Sequence, residues 1–255
     1  MPSLIWMPGA LSSEARVYQG RCWRLVEAQY RVSTLKLVDT LEEQTLLEEL
    51  IEETKPALPP ECRHLDYLFS TPFRYGALYP HGSRFRRAGR TPGVYYAAEE
   101  VHTAVAEMAF YRLLFFAETP RTPWPSDPGE YMAFAASVRT ERAMDLTVAP
   151  FEQERGRWTD LTDYTATQSL AEAARSASID IIRYHSVRDV PTGFNLALLT
   201  CRVFALPRPI ERQTWRIRLS ASGIQAICEF PEMRIGFDQD AFAADPRIAT
   251  FNWDR

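Results

Sequence analysis

One stretch constrains the fold of this chain more than any other. Val94 to Ala98 is a run of β-branched, aromatic and small residues directly after Pro92-Gly93, the pattern of a short strand entered from a turn. It passes without a break into Glu99 to about Phe115, where Val101, Ala104, Val105 and Met108 recur at helical spacing. A strand followed at once by an apolar helix calls for a sheet with a helix packed on it.

The rest of the chain adds strands and helices without a regular alternation. Thr40 and Glu43 form a capping-box pair ahead of a helix over Leu41–Thr54, with Leu47, Leu50, Ile51 and Thr54 at helical spacing and Pro56 as its stop. Three prolines between Lys55 and Glu61 read as a linker. The chain therefore divides near residue 65 into an N-terminal extension, 1–64, partly helical, and a larger domain, 65–255. Within the extension, 23–38 reads as extended or short elements. The domain opens on Leu65-Asp66-Tyr67-Leu68-Phe69, followed by a loop rich in Arg, Gly and Pro up to Gly93. Strands are expected at Tyr131–Val138, Ala143–Thr147, Ile179–Tyr184 and about 197–205, 214–220 and 224–230. An Ala-rich helix is expected over Tyr164–Ala177, and the prolines from 120 to 128 mark a surface loop. Too few strand–helix–strand units recur for a doubly wound parallel sheet, so the class is α+β.

Composition narrows the function. With 46% hydrophobic and 24% charged residues in 255, there is material for a full core. A formal net charge of −4 is too mild to predict a nucleic-acid or acidic-membrane partner. Cys22, Cys62, Cys201 and Cys228 are scattered with no C-x-x-C, as free thiols in a reducing compartment would be. No apolar run is long enough for a membrane span and no signal peptide is visible, so a cytoplasmic protein is expected. The phosphate-loop, dinucleotide-binding and nucleophile-elbow motifs are all missing. His64, His81, His102 and His185 lack metal-ligand spacing, and no metal is expected. The chemistry must then come from Arg, Glu, Tyr and Ser.

Four segments offer it. Phe73-Arg74-Tyr75 is the first. Gly82-Ser83-Arg84-Phe85-Arg86-Arg87-Ala88-Gly89-Arg90 is the second. Guanidinium forks match phosphate oxygens, and glycines let backbone come close. A solvated basic loop, or a nucleic-acid groove opposed by the acidic net charge, would have the same composition. The third segment is Tyr96, at a strand end, eleven positions before Glu107; that spacing can bring a strand end and a helical turn to one pocket. Glu107 sits in the least polar part of its helix, Ala104-Val105-Ala106-Glu107-Met108-Ala109-Phe110. A carboxylate there is either held in a cleft facing positive charge, exposed, or ion-paired structurally. The fourth segment runs Arg183-Tyr184-His185-Ser186-Val187-Arg188-Asp189, then Gly193-Phe194-Asn195. Ser186 follows an apolar strand, where a site residue or a simple turn serine would both fit. Tyr96 could equally be a core aromatic.

Together these segments resemble the RES domain family, named for its Arg, Glu and Ser. Arg74 resembles the family's early arginine, and Gly82-Ser83-Arg84-Phe85 its G-G-R-W segment. Tyr96-Ala97-Ala98 resembles its Y-x-A segment, and Glu107, Ser186 and Asn195 the residues that follow. The resemblance covers roughly 65–230. It departs at Ser83 and Phe85, and Arg86 and Arg87 compete with Arg84 for the arginine position.

The resemblance implies an ADP-ribosyltransferase-like split mixed sheet with flanking helices. It also implies the toxin half of a bacterial toxin–antitoxin pair, which cleaves the nicotinamide–ribose bond of NAD⁺ by hydrolysis or phosphorolysis and depletes cellular NAD. The alternatives are an ADP-ribosyltransferase acting on a protein, a nucleic-acid-binding module, and a structural partner whose helix at 41–54 packs on a second chain. Glu107, Ser186 and Tyr96 are the implied catalytic residues, and Arg74, Arg84 and Asn195 the implied NAD⁺ contacts. NAD⁺ is substrate, with no cofactor. The implied partner is an antitoxin with a helix-turn-helix-like part, and homo-oligomerisation stays open.

Overall fold

The computed structural model describes residues 6–28, 37–76, 82–189 and 193–254. Its elements are α1 (Pro8–Ser13), β1 (Arg16–Glu27), α2 (Leu41–Glu53), α3 (Tyr67–Arg74), β2 (Tyr95–Ala98) and α4 (Val101–Glu118). They continue with β3 (Gly129–Asp145), α5 (Arg155–Trp158), α6 (Thr165–Ser176), β4 (Ile181–His185), β5 (Phe194–Leu198), β6 (Glu211–Ser220), β7 (Gly223–Cys228) and β8 (Met233–Phe237). The class is α+β around a mixed sheet, in the order β1-β2-β5-β4-β3-β6-β7-β8. β3 and β4 run parallel and the other pairs antiparallel. β1 also pairs with β3, so the pairings β1–β2–β5–β4–β3–β1 form a closed circuit among the described residues.

β3 is the organising strand. Its ladder with β1 runs from Arg16↔Ala143 to Glu27↔Tyr131, its N-terminal half also pairs with β6, and its C-terminal end pairs with β4. β1 comes from the segment expected as an extension, and it lies in the same sheet as the rest. The sequence suggested two strands here, broken by charged residues near Arg139 to Arg142. The strand is continuous because those charges alternate with burial. Arg139 and Glu141 point out, while Thr140 is buried and donates to Asp180 at 2.6 Å.

Side-chain alternation on β3 divides the core. Ala133 and Ala135 face Trp23, Leu25, Trp215 and Ile217, together with Ala104, Val105, Ala109, Phe110 and Leu113 of α4. Phe134, Ala136 and Val138 face the other way, onto Phe69 and Phe73 of α3. A third core gathers Leu170, Ala171 and Ala174 of α6 against Ile182 and Tyr184 of β4. α4 is apolar nearly all round and is buried on most sides accordingly.

α2 forms as its capping box predicts: Thr40 Oγ1 accepts from the Glu43 N–H, and a Glu43 carboxylate oxygen accepts from the Thr40 N–H. None of its residues is buried. α3 escaped the sequence reading because Pro72 stands inside it. Its start was marked by Asp66, whose side chain accepts from the Leu68 N–H at 3.0 Å. The strand expected at 197–205 instead ends at Leu198; Thr200 then caps a 3₁₀ turn over Cys201–Val203. The readings for 29–36 and 77–81 lie outside the described residues.

All four cysteines are buried free thiols. No described helix is long and apolar enough to cross a membrane.

Candidate active site

Where β2 passes into α4, a cleft of about 290 Å³ opens. Trp23, Arg24 and Leu25 of β1 line one part, with Tyr96, Ala97 and Ala98 of β2 beside them. Ala104, Glu107, Met108 and Tyr111 of α4 face it, and Tyr164, Tyr184 and Asn195 complete the wall with Ser83, Arg84, Val187 and Arg188. The lining mixes apolar residues with three arginines and one glutamate, as a small-molecule site does.

Glu107 is held by two donors on a single oxygen. Ser186 Oγ donates to its Oε1 at 2.8 Å, and Asn195 Nδ2 donates to the same atom at 2.6 Å. Among the described residues no donor meets Oε2. The direction of the Ser186 proton follows from valence. A hydroxyl has one hydrogen and two lone pairs. Ser186 Oγ already accepts from the Arg188 and Asp189 N–H groups, each at 3.1 Å, so its hydrogen is left for Glu107.

The segment bearing Ser186 is itself fastened to the start of α4. Asp189 Oδ2 accepts from Thr103 Oγ1 at 2.6 Å and lies 3.2 Å from His102 Nδ1. The Ser186 N–H donates to the Gly193 carbonyl, and the Gly193 N–H to the Asp189 carbonyl, both at 2.8 Å. A Cβ on Gly193 would stand 2.7 Å from Asp189 O, so the turn needs glycine there. Asn195 reaches the same carboxylate from β5, where it pairs with Tyr184 of β4 and Ala98 of β2.

Tyr96 holds the arginine loop. Its hydroxyl lies 2.8 Å from Ser83 Oγ and accepts from the Phe85 N–H at 2.9 Å. Ser83 and Arg86 pair across a tight turn, and Gln168 donates to the carbonyls of both. Phe85 is fully buried, its ring edge-on to Tyr184 with centroids 4.8 Å apart. Serine in place of the family's second glycine therefore gains a hydroxyl contact, and phenylalanine supplies the aromatic anchor. Burial pushes the Tyr96 phenol upward, against the opposing pull of its hydrogen bonds, so it is a neutral hydrogen-bonding group near pH 7.

The turn aims Arg84 into the cleft. Its Nη1 donates to Trp158 O at 2.8 Å and its guanidinium stacks 4.7 Å from the Tyr164 ring centre. The neighbouring arginines go elsewhere. Arg86 donates to Gly76 O, and Arg87 and Arg90 pair with Glu172 of α6. Of the three candidates for the family's arginine, Arg84 is the one that lines the cleft.

Of the residues singled out from sequence, Arg84, Tyr96, Glu107 and Asn195 line the cleft, and Ser186 is bonded to Glu107. Arg74 does not join them. It closes α3 and forms an ion pair with Glu52 of α2. The sequence reading missed Arg24, Tyr164 and Arg188. Arg188 lay within a quoted segment; Arg24 had no signal, because only long-range pairing of β1 with β2 and β3 places it where it donates to Tyr96 O at 2.9 Å. Among the described residues no group of three or more His, Cys, Asp or Glu could hold a metal ion.

A family profile described as RES domain matches residues 58–220, more than half of the chain. Among solved structures, a chain from the crystal structure of the M. tuberculosis MbcT–MbcA toxin–antitoxin complex is similar, with 12% identity and a TM-score of 0.47 over 81% of this chain and 90% of that one. No curated protein matches the sequence.

Proposed function

The chain belongs to the RES domain family, and from that premise we propose that it cleaves the nicotinamide–ribose bond of NAD⁺ as the toxin of a toxin–antitoxin pair. The observation that carries this reading is the Glu107 carboxylate, pinned through one oxygen by Ser186 and Asn195 in a cleft that also contains Arg84. Departure of nicotinamide leaves an oxocarbenium-like ribose, as glycoside cleavage does. A carboxylate fixed before the reaction stabilises that charge without reorganising. Glu107 Oε2, which no described donor meets, is the oxygen we assign to the ribose.

Ser186 and Asn195 then serve as positioning residues for Glu107. Arg84 holds the diphosphate, with its guanidinium stacked on Tyr164. Tyr96 acts through the Ser83–Arg86 turn. Arg74 takes the phosphate role that the resemblance implies only by leaving Glu52. The fold reading that goes with this is the split sheet of ADP-ribosyltransferases. The acceptor of ADP-ribose is water, phosphate or a protein side chain, and the partner is a cognate antitoxin. A nucleic-acid role is disfavoured by the arginine loop itself: Arg84 turns inward, while Arg87 and Arg90 share Glu172, which offsets part of their charge.

The test is incubation of the purified chain with NAD⁺, with and without phosphate, followed by product analysis. Nicotinamide should appear. Free ADP-ribose, ADP-ribose-1″-phosphate and modified protein distinguish the three acceptors. Glu107→Gln should keep the fold and lose on the order of a few hundredfold in rate or more, the scale of one preorganised electrostatic group. Nicotinamide release by this variant at the parental rate would refute the assignment.

A further inference from the structure

Arg188 takes no part in the Glu107 hydrogen bonds beyond its backbone N–H, yet its side chain lines the cleft. That side chain is 4% exposed, and its guanidinium lies 3.4 Å from the centre of the Phe110 ring. Its ion pair is with Asp245, Nη2 to Oδ2 at 2.8 Å, and Asp245 is completely buried. No other described acceptor meets this guanidinium, which has five N–H donors to satisfy.

Asp245 does not neutralise Arg188 outright. The same carboxylate accepts from Arg247 Nε at 3.0 Å, from Arg247 Nη2 at 2.8 Å and from the Arg247 backbone N–H at 2.9 Å. Two arginines therefore share one acid, and the trio carries an excess positive charge. Arg247 is one-third exposed and shares its charge with water, but the Arg188 side chain is 4% exposed, and a cation so buried with only a shared acid is costly unless an anion joins it. The side open to that anion is the cleft.

Asp245 comes from the C-terminal segment, outside the residues 58–220 matched by the family profile. Phe242 and Ile248, both buried, flank it and anchor the segment in the core that contains α4; the Phe242 and Phe110 rings lie 5.7 Å apart. The segment thus packs directly against the helix of Glu107.

We propose that Arg188 binds a phosphate group of the substrate together with Arg84, and that Asp245 of the C-terminal segment is the residue that positions it. The substrate class rests on the NAD⁺ reading above; the anion site rests on the charge imbalance and the cleft. Two arginines suit a dinucleotide, whose diphosphate carries two charges. Asp245 holds Arg188 through Nη2 alone, which leaves its other donors for the substrate, and the Phe110 ring fixes the plane of the guanidinium.

The test is calorimetric titration of the full chain with inorganic pyrophosphate and with ADP-ribose, alongside the kinetics of nicotinamide release. Arg188→Ala should weaken both ligands by about tenfold or more, the scale of one charge-assisted contact. It should raise KM for NAD⁺ far more than it lowers kcat. Arg188→Gln removes the charge but keeps part of the aliphatic stem and a polar head, and covers the case in which the alanine variant unfolds. Asp245→Asn should raise KM by several-fold with kcat nearly retained; a lower melting temperature with unchanged KM would overturn its positioning role. If folded Arg188→Ala and Arg188→Gln bind both ligands as the parent does, the phosphate role fails while the NAD⁺ reading survives. If the parent binds pyrophosphate through Arg188 but never releases nicotinamide, the NAD⁺ reading fails and the anion site stands. A parent that binds neither ligand overturns the proposal.

Discussion

Ser186→Ala tests the core of the site, because Ser186 makes three hydrogen bonds through one atom. Its hydroxyl donates to Glu107 Oε1 at 2.8 Å and accepts from the Arg188 and Asp189 N–H groups at 3.1 Å. Alanine removes all three. The bond to a carboxylate is worth roughly 1.5–3 kcal/mol, and leaving buried N–H groups without an acceptor costs about 1–3 kcal/mol. Ser186 is only 4% exposed, so water replaces these bonds poorly. We expect about 2–4 kcal/mol of lost stability. At about 2–4 °C per kcal/mol for a chain of this size, the melting temperature should fall by roughly 4–16 °C. Glu107 keeps the Asn195 bond and loses its other restraint. If about 1.5–3 kcal/mol of that restraint acts at the transition state, kcat falls by roughly tenfold to a hundredfold. Scanning calorimetry and nicotinamide release measure the two effects. A positioning role predicts a fall in kcat with little change in KM. A rise in KM alone would mean that the hydroxyl contacts substrate instead of orienting Glu107. Unchanged melting temperature and kcat together would refute the geometry on which the site rests.

Two further predictions follow from other contacts. Tyr96→Phe removes the hydroxyl that accepts from Phe85 N and meets Ser83, loosening the turn that aims Arg84; KM for NAD⁺ should rise several-fold, with about 1–2 kcal/mol lost in chemical denaturation, and an unaltered KM would detach Tyr96 from the arginine loop. Acid stability should report Asp245, whose carboxyl is held at about 2 against an ordinary 3.8: burial pushes it up, but the hydrogen bonds and charges of Arg247 and Arg188 outweigh that. A depressed folded value contributes stability that is complete above the unfolded value and is lost as pH falls through the folded one, here about 2 kcal/mol between roughly pH 5 and 2. The stability gap between the parent and Asp245→Asn, from urea midpoints, should therefore shrink by about that amount over this range; a constant gap would show that Asp245 titrates normally.

Local features were legible in the chain. The capping box at Thr40 and Glu43 starts α2, the β run before Ala98 becomes β2, and the apolar periodicity after Glu99 becomes α4. Each depends on interactions within a few residues, so the sequence carries them directly. The order Arg84, Tyr96, Glu107, Ser186, Asn195 was legible too, because β2 leads straight into α4 and β4 into the Ser186 turn.

Tertiary structure decided which atoms meet. Ser186 and Asn195 converge on one oxygen of Glu107 because β5 lies between β2 and β4 in the sheet, a pairing that no local pattern encodes. The β1–β3 ladder brings Arg24 from the N-terminal segment to the cleft wall. Arg74, alike in type to Arg84, is turned to Glu52, while Arg188 takes a place at the cleft through Asp245, 57 positions further along the chain. Residue type reports what a side chain can bind. Its partner depends on long-range strand pairing and core packing, and these are properties of the folded chain as a whole.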